Sequence, residues 1–130
     1  MTRFWNIAIP AACVAIAAIV TPWQIYKAKA TERRLEEREK SCRASAERGE
    51  ANGEFCLGYM VYHGQGMPRD DAEALRLYRK AADQGYSSAM VGIGYMYYHG
   101  DGVPLDYAES LRWYRKAADL GDAMGLDAIG

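Results

Sequence analysis

A stretch of 36 residues is written twice in succession, and it constrains the fold more than any other feature of the chain. Residues 50–85 and 86–121 align without a gap, and 20 of the 36 aligned positions are identical. Self-similarity at this period is typical of proteins that stack one supersecondary unit on the next. The sequence therefore predicts a repeat array in which each unit contacts its neighbours along the chain.

Each copy is predicted to contain two helices joined by a glycine-rich loop. The first helix should end at Gly64 and at Gly100, because glycine adopts the left-handed backbone that ends a helix at little cost. The second helix should begin at Asp70 and at Asp106, each of which precedes a glutamate at the spacing of a capping box. One such hairpin cannot bury its apolar face alone, so the units should stack as an all-α, short α/α solenoid.

Positions that are identical or closely matched in the two copies are expected to hold the fold. They comprise glycines at turns and close helix contacts, the two helix caps, and apolar or aromatic positions of the helices. These structural repeat positions are Gly58, Tyr62, Gly64, Gly66, Asp70, Leu75, Tyr78, Ala82, Gly85, Gly94, Tyr98, Gly100, Gly102, Asp106, Leu111, Tyr114, Ala118 and Gly121.

The spacing of these shared positions resembles that of a known repeat family, the Sel1-like repeat. The resemblance covers about residues 43–130 and extends to both copies. It implies an α/α solenoid related to tetratricopeptide arrays, with an adaptor or scaffold role, often in bacterial envelope or signalling settings. It supplies no catalytic residue. The motif residues in the first copy are Leu57-Gly58, Tyr62, Gly64, Gly66-Met67, Asp70, Ala74-Leu75, Tyr78, Ala81-Ala82 and Gly85.

The N-terminal segment differs in composition from the repeats. Residues 4–26 carry no charged side chain, and Trp5 and Trp23 lie near the two ends, where interfacial aromatic residues are found. This length is sufficient for a helix to cross a bilayer. Residues 1–26 are therefore predicted to be a single-pass transmembrane anchor in contact with the lipid bilayer. A cleaved signal peptide, or a lipoprotein signal at Cys13, remains an alternative.

A charged connector over residues 27–48 is expected to follow the anchor. Lys, Arg, Glu and Ala dominate it, and neither Gly nor Pro interrupts it, which favours a helix. Leu35 is the only large apolar residue between Tyr26 and Phe55, so a coiled coil is not predicted. The connector should run into the first stacked helix. Residues 49–130 then contain the repeats, with a partial unit at 122–130.

The chemistry-bearing residues of the chain predict binding and not catalysis. His63 and His99 are the only histidines, and they occupy equivalent positions of stacked units, too far apart to bind one zinc ion. No catalytic residue, metal site or cofactor is expected. The net charge of −1 provides no field that would recruit nucleic acid.

Two cysteines are placed symmetrically about the first predicted turn. Cys42 and Cys56 lie equally far before and after Gly49, so two antiparallel helices would set them opposite each other. Such a pair is compatible with a disulfide, and two buried free thiols are the alternative. A disulfide would favour a repeat domain outside the cytoplasm.

Partner binding is predicted at positions that differ between the copies. In the second copy Tyr86, Met90, Ile93 and Tyr97 fall on one helical stripe, and aromatic and Met side chains are enriched at interfaces. The stripe is predicted to contact a protein or peptide, with packing on the final part-helix as the alternative. The C-terminal edge is a candidate for self-association.

These observations predict a membrane-anchored adaptor or scaffold that acts through protein–protein interaction. The repeat domain is expected to be periplasmic or otherwise extracytoplasmic, and the alternative is a cytoplasmic domain, which the Lys and Arg residues that follow the span would favour. Two alternatives remain open, an exported factor that binds a cell-wall fragment and a structural subunit of a membrane assembly.

Overall fold

The chain forms a succession of helices. The computed structural model describes the backbone of residues 11–129 and the side chains of residues 21–129, and this part contains no strand. The all-α class is thereby confirmed. The helices are α1 (Ala11–Glu47), α2 (Ala51–His63), α3 (Asp71–Asp83), α4 (Ser87–His99), α5 (Tyr107–Asp119) and α6 (Ala123–Ile129).

The chain divides into two units, residues 1–34 and 35–130, at a point within α1. In the first unit the described side chains Trp23 and Tyr26 are exposed, and the Lys27 ammonium lies 4.0 Å from the centroid of the Trp23 ring. Among the described residues, no helix combines the length and the apolar character that crossing a membrane requires. Residues 4–20 of the predicted span lie outside the residues whose side chains are described, so the anchor and its boundary stay predictions.

The second unit is a stack of helical hairpins. Each helix packs on its predecessor, α3 on α2, α4 on α3, α5 on α4 and α6 on α5. The C-terminal turns of α1 pack on α2, because a Cβ at Gly53 would meet the backbone of Ala46. The result is the predicted short α/α solenoid, which consists of half a unit, two full hairpins and a last short helix.

The second helix of each hairpin begins at its predicted cap. The carboxylates of Asp70 and Asp106 accept hydrogen bonds from the backbone N–H groups of Glu73 and Glu109, each at 3.0 Å. The reciprocal half of a capping box does not form. The Glu73 carboxylate binds Arg76 instead, at 2.6 Å, because a guanidinium one helical turn later offers it two charged donors.

The first helix of each hairpin ends at its predicted glycine. Gly64 and Gly100 have φ angles of 62° and 71°, in the left-handed region. The N–H of Gly64 donates to the carbonyl of Val61, and the N–H of Gln65 donates to that of Met60 at 2.9 Å. These bonds use carbonyls that the end of a helix leaves unpaired.

The core lies between the first and second helices of the hairpins. Met60, Ile93 and Met96 on the first helices are fully buried. Four alanines are also fully buried and let the backbones approach, namely Ala74 and Ala81 on α3, Ala89 on α4 and Ala117 on α5. Small residues opposite large ones fill the space between helices without cavities.

A tyrosine ring separates successive hairpins. Tyr78 is 3% exposed, and a Cβ added at Gly58 on α2 or at Gly92 on α4 would lie 2.8 Å or 3.0 Å from its ring. The two helices therefore lie one ring apart, with glycine on each side. In the second copy the ring of Tyr114 lies equally close to Gly94, at 2.8 Å.

The first junction of the stack uses a different pair at the same repeat positions. Cys42 precedes Tyr78 by one repeat, and Cys56 precedes Gly92 by one repeat. The structure joins Cys42 on α1 to Cys56 on α2 as a disulfide, with their Cα atoms 5.7 Å apart. A covalent bond thus occupies the place that a ring packed on a glycine occupies one unit later.

We expect the disulfide to contribute substantially to stability. Replacing both cysteines, Cys42→Ser with Cys56→Ser, should lower the free energy of unfolding by about 3 kcal/mol, because the bond closes a short loop in the unfolded chain. Urea unfolding of the two proteins measures the difference. The chain has three cysteines, so alkylation of unreduced protein should modify one thiol. Alkylation of all three before reduction would contradict the bond.

We expect Gly58→Ala to destabilise the stack although alanine favours helices. The added Cβ overlaps the Tyr78 ring, and overpacking of this kind costs about 1–3 kcal/mol. Thermal unfolding of Gly58→Ala, Tyr78→Ala and the double variant isolates the contact. With the ring removed, Gly58→Ala should no longer destabilise. An unchanged cost in the Tyr78→Ala background would show that another contact is responsible.

Candidate functional site

A continuous series of aromatic rings crosses both repeats. Each ring contacts the next, from the middle of α2 to the first turn of α5. We call this series the aromatic ladder, and its members in order of contact are Tyr59, His63, Tyr62, Tyr95, His99, Tyr98 and Tyr107.

The ladder arises from a spacing that both copies share. Residues three and four apart lie on one face of a helix, so a Tyr-x-x-Tyr-His sequence stacks its rings. The ring centroids of Tyr59 and His63 are 4.2 Å apart, and those of Tyr95 and His99 are 4.1 Å apart. The three rings of each copy thus form a cluster of similar geometry, because the two tyrosines and the histidine recur at the same spacing.

The clusters are joined edge to face. The Tyr62 ring meets the Tyr95 ring with centroids 6.2 Å apart and planes inclined by 87°. At the far end Tyr98 contacts Tyr107, with centroids 5.1 Å apart. Tyr95, Tyr98 and Tyr107 are 46%, 50% and 59% exposed. The second-repeat part of the ladder is therefore exposed, whereas Tyr59 and Tyr62 are partly buried against the core.

Two neighbouring cavities open along the ladder. One has a volume of about 450 Å³ and lies against Tyr59, Tyr62 and Tyr95, with Tyr78 and Gly92 also in its wall. The other has a volume of about 520 Å³ and extends from Tyr95 to Tyr98 and Tyr107, with Tyr114 and Ala128 in its wall. The described residues that line the two cavities include no Asp, Glu, Lys or Arg. The surface therefore favours an uncharged, largely apolar ligand.

Tyr62 is fixed by a polar group of the second repeat. Its hydroxyl donates to Asp101 Oδ2 at 2.5 Å, and the Arg69 guanidinium lies 5.0 Å from its ring centroid. Burial raises the pKa of Tyr62, and the hydrogen bond to Asp101 adds to the shift. The phenol accordingly stays protonated at neutral pH. This bond ties α2 to the loop that follows α4.

Arg38 on α1 lies beside Tyr59, the first residue of the ladder. Its guanidinium is 5.7 Å from the Tyr59 ring centroid, and Nη1 donates to Gln65 Oε1 at 3.4 Å. No carboxylate of residues 21–129 lies within ion-pair distance of Arg38, whereas Arg69 contacts Asp71 at 2.8 Å and Asp101 at 3.6 Å. Arg38 thus presents an exposed cation at one end of the ladder.

The stripe predicted from the sequence lies on another face of α4. Ile93 is fully buried, and Tyr86, Met90 and Tyr97 are partly buried against the core. The hydroxyl of Tyr97 accepts a hydrogen bond from Arg79 Nη2 at 3.0 Å. The stripe therefore offers less free surface than the ladder does, and its role in partner binding stays a prediction.

Sequence reasoning missed the ladder because it assigned shared positions to the scaffold. Tyr62 and Tyr98 were expected to hold the fold, yet Tyr98 is half-exposed and Tyr62 lines a cavity. The useful signal was the Tyr-x-x-Tyr-His spacing, which occurs in both copies on one helical face. A residue that is identical in the two copies can be buried in the core or exposed on the surface, so identity alone does not distinguish the two cases.

The sequence analysis also singled out the two histidines and the C-terminal edge. His63 and His99 lie in the last turns of α2 and α4, where a positive charge is favourable. Within residues 21–129 no group of three or more His, Cys, Asp or Glu side chains is arranged so that it could hold a metal ion. At the C-terminal edge Met124, Leu126 and Ile129 are exposed on α6, and self-association through them stays a prediction.

Comparison with known proteins identifies the repeats. The family described as Sel1 repeat matches residues 52–86 and 87–122. The crystal structure of c5321, a protective antigen present in uropathogenic Escherichia coli strains that displays an SLR fold, is 36% identical, with a TM-score of 0.66. A Sel1 repeat protein from Oxalobacter formigenes is 34% identical, with a TM-score of 0.61. No match was found among curated proteins.

The fraction of each chain that the similarity covers differs between these two structures. The similarity to the E. coli antigen covers 70% of this chain and 20% of that one. The similarity to the O. formigenes protein covers 64% of this chain and 63% of that one. Proteins built from Sel1 repeats generally mediate protein–protein interactions and are generally not enzymes.

We expect Tyr62→Phe to lower the free energy of unfolding by about 1 kcal/mol, because it removes the hydrogen bond to Asp101. Tyr98→Phe is the matched control, since Tyr98 occupies the equivalent repeat position and its hydroxyl has no hydrogen bond among the described residues. Urea unfolding of the two variants measures the difference. Equal midpoints for the two variants would show that the bond contributes nothing.

Proposed function

Because the chain belongs to the Sel1 repeat family, we propose that it is an adaptor or scaffold module that binds a segment of another protein along the aromatic ladder. The observation that carries the proposal is the continuity of the ladder. The ring of Tyr62 in the first repeat contacts the ring of Tyr95 in the second, and two cavities without charged lining residues open beside them.

The composition of the ladder supports a recognition role. Tyrosine provides a large amphipathic contact area with few rotatable bonds, so little conformational entropy is lost when a partner binds. Tyr95 lines both cavities and is the central residue of the surface. Binding energy concentrates in aromatic residues at the centre of an interface.

The location of the module is part of the proposal. The protein is anchored in a membrane by residues 4–26, and the repeats lie outside the cytoplasm. The uncharged composition of residues 4–26 supports the anchor. The pairing of Cys42 with Cys56 supports an oxidising compartment. A structural subunit of a membrane assembly would use the same surface for a permanent partner.

We expect a photo-crosslinking amino acid at position 91 to capture a partner in cells. Val91 lines the first cavity, beside Tyr95. The same amino acid at position 120 is the matched control, because Leu120 is 55% exposed and lines neither cavity. Mass spectrometry of the crosslinked species identifies the bound polypeptide and the crosslinked segment.

The proposal predicts one dominant protein crosslink at position 91 and none of the same mass at position 120. Tyr95→Glu, which places a charge at an exposed ring of the ladder, should abolish it. Equal crosslinking at both positions, or an unchanged yield with Tyr95→Glu, would contradict binding along the ladder. Capture of a glycan at position 91 would instead favour an exported factor that binds a cell-wall fragment.

A further inference from the structure

We propose that the ladder recognises a proline-rich segment in the polyproline II conformation, with an acidic residue at the end that lies near Arg38. This inference rests on the proposed function and specifies the chemistry of the partner. The partner is a protein, and its recognised segment is extended, largely uncharged and stiff. Three features of the described residues support this choice.

The first feature is the inclination of successive rings. The planes of Tyr59 and His63 are inclined by 47°, and those of Tyr62 and Tyr95 by 87°. The ladder is therefore not a flat platform, and the two cavities open beside its rings as aromatic-lined grooves. Proline-rich segments are recognised by aromatic-lined grooves of this kind.

The second feature is the extent of the aromatic surface. Tyr95 of the second repeat lines both cavities, so one extended segment can contact rings of both repeats. Polyproline II advances about 3.1 Å per residue with three residues per turn, so prolines three residues apart lie on one face of the segment.

Backbone hydrogen bonding fits the same conformation. Polyproline II has no internal hydrogen bonds, and its carbonyl groups stay available. The hydroxyls of Tyr95 and Tyr98 have no hydrogen bond within the described part of the chain and lie on the exposed side of the ladder. Each can donate to a peptide carbonyl, and a ligand that is rich in proline needs donors because it has few N–H groups of its own.

The third feature is the charge distribution. The cavities have no charged lining, which suits an uncharged segment. Arg38 lies 5.7 Å from the Tyr59 ring and has no acidic partner among the described side chains, whereas Arg69 already contacts Asp71 and Asp101. A carboxylate at one end of the peptide would therefore pair with Arg38 and set the direction in which the peptide binds.

The test measures binding of synthetic fluorescein-labelled peptides to the full-length chain by anisotropy. The probe has proline at every third position and glutamate at one end. One control peptide replaces each proline by glycine, a second replaces the glutamate by glutamine, and a third is an alanine-rich helix former of equal charge. Circular dichroism establishes that every protein variant is folded.

The inference predicts that the proline probe binds and the glycine control does not. Tyr95→Ala should weaken binding about tenfold or more, the effect of an aromatic residue at the centre of an interface. Tyr98→Ala should also weaken it, which keeps the test valid if one variant is unstable. Leu120→Ala, outside the ladder, should change nothing. Arg38→Ala should weaken the glutamate probe about two- to fivefold and leave the glutamine control unchanged.

Three results would overturn the inference. Binding of the helix former without binding of the proline probe would assign the ladder to a helical partner. Absence of binding by every peptide, while crosslinking at position 91 persists and is sensitive to Tyr95→Glu, would reject the proline-rich ligand and leave the proposed function intact. Loss of that crosslink as well would reject both.

Discussion

The contact between Tyr78 and two glycines determines how the rest of the stack is arranged. Its ring fills the space between α2 and α4, with Gly58 on one side and Gly92 on the other. The ring sets the separation of the two helices, and that separation brings Tyr62 within reach of Tyr95. Burial also raises the pKa of Tyr78, so the ring stays neutral inside the stack. Core packing and the exposed ladder thus depend on the same residue.

The three junctions of the solenoid use one pair of repeat positions in different ways. Cys42 and Cys56 form a disulfide at the first junction, and Tyr78 packs on Gly92 at the second. At the third, Tyr114 and Ala128 both line the same cavity. A short array has few neighbours to stabilise each unit, and a covalent first junction compensates for this. The variation between copies that the sequence displays at these positions therefore has a structural cause.

Much of the fold follows from local sequence. Glycines in the left-handed region and aspartate caps act within one helical turn, so Gly64 and Asp70 define helix ends without knowledge of the fold. The opposition of Cys42 and Cys56 follows from their symmetric spacing about Gly49. Which face of α4 is buried could not be predicted in this way, because it depends on where α3 and α5 pack. Ile93 is buried and Tyr95 exposed for that reason.

The exposed ladder depends on the buried Tyr78 ring, and paramagnetic relaxation of tyrosine ring protons by a soluble spin probe tests this arrangement most directly. Labelled tyrosine incorporated at one position at a time separates the signals of Tyr78, Tyr95 and Tyr98. We expect strong relaxation for Tyr95 and Tyr98, which are 46% and 50% exposed, and weak relaxation for Tyr78, which is 3% exposed. Relaxation of Tyr78 as strong as that of Tyr95 would contradict it, because the ring would then not lie between the two helices.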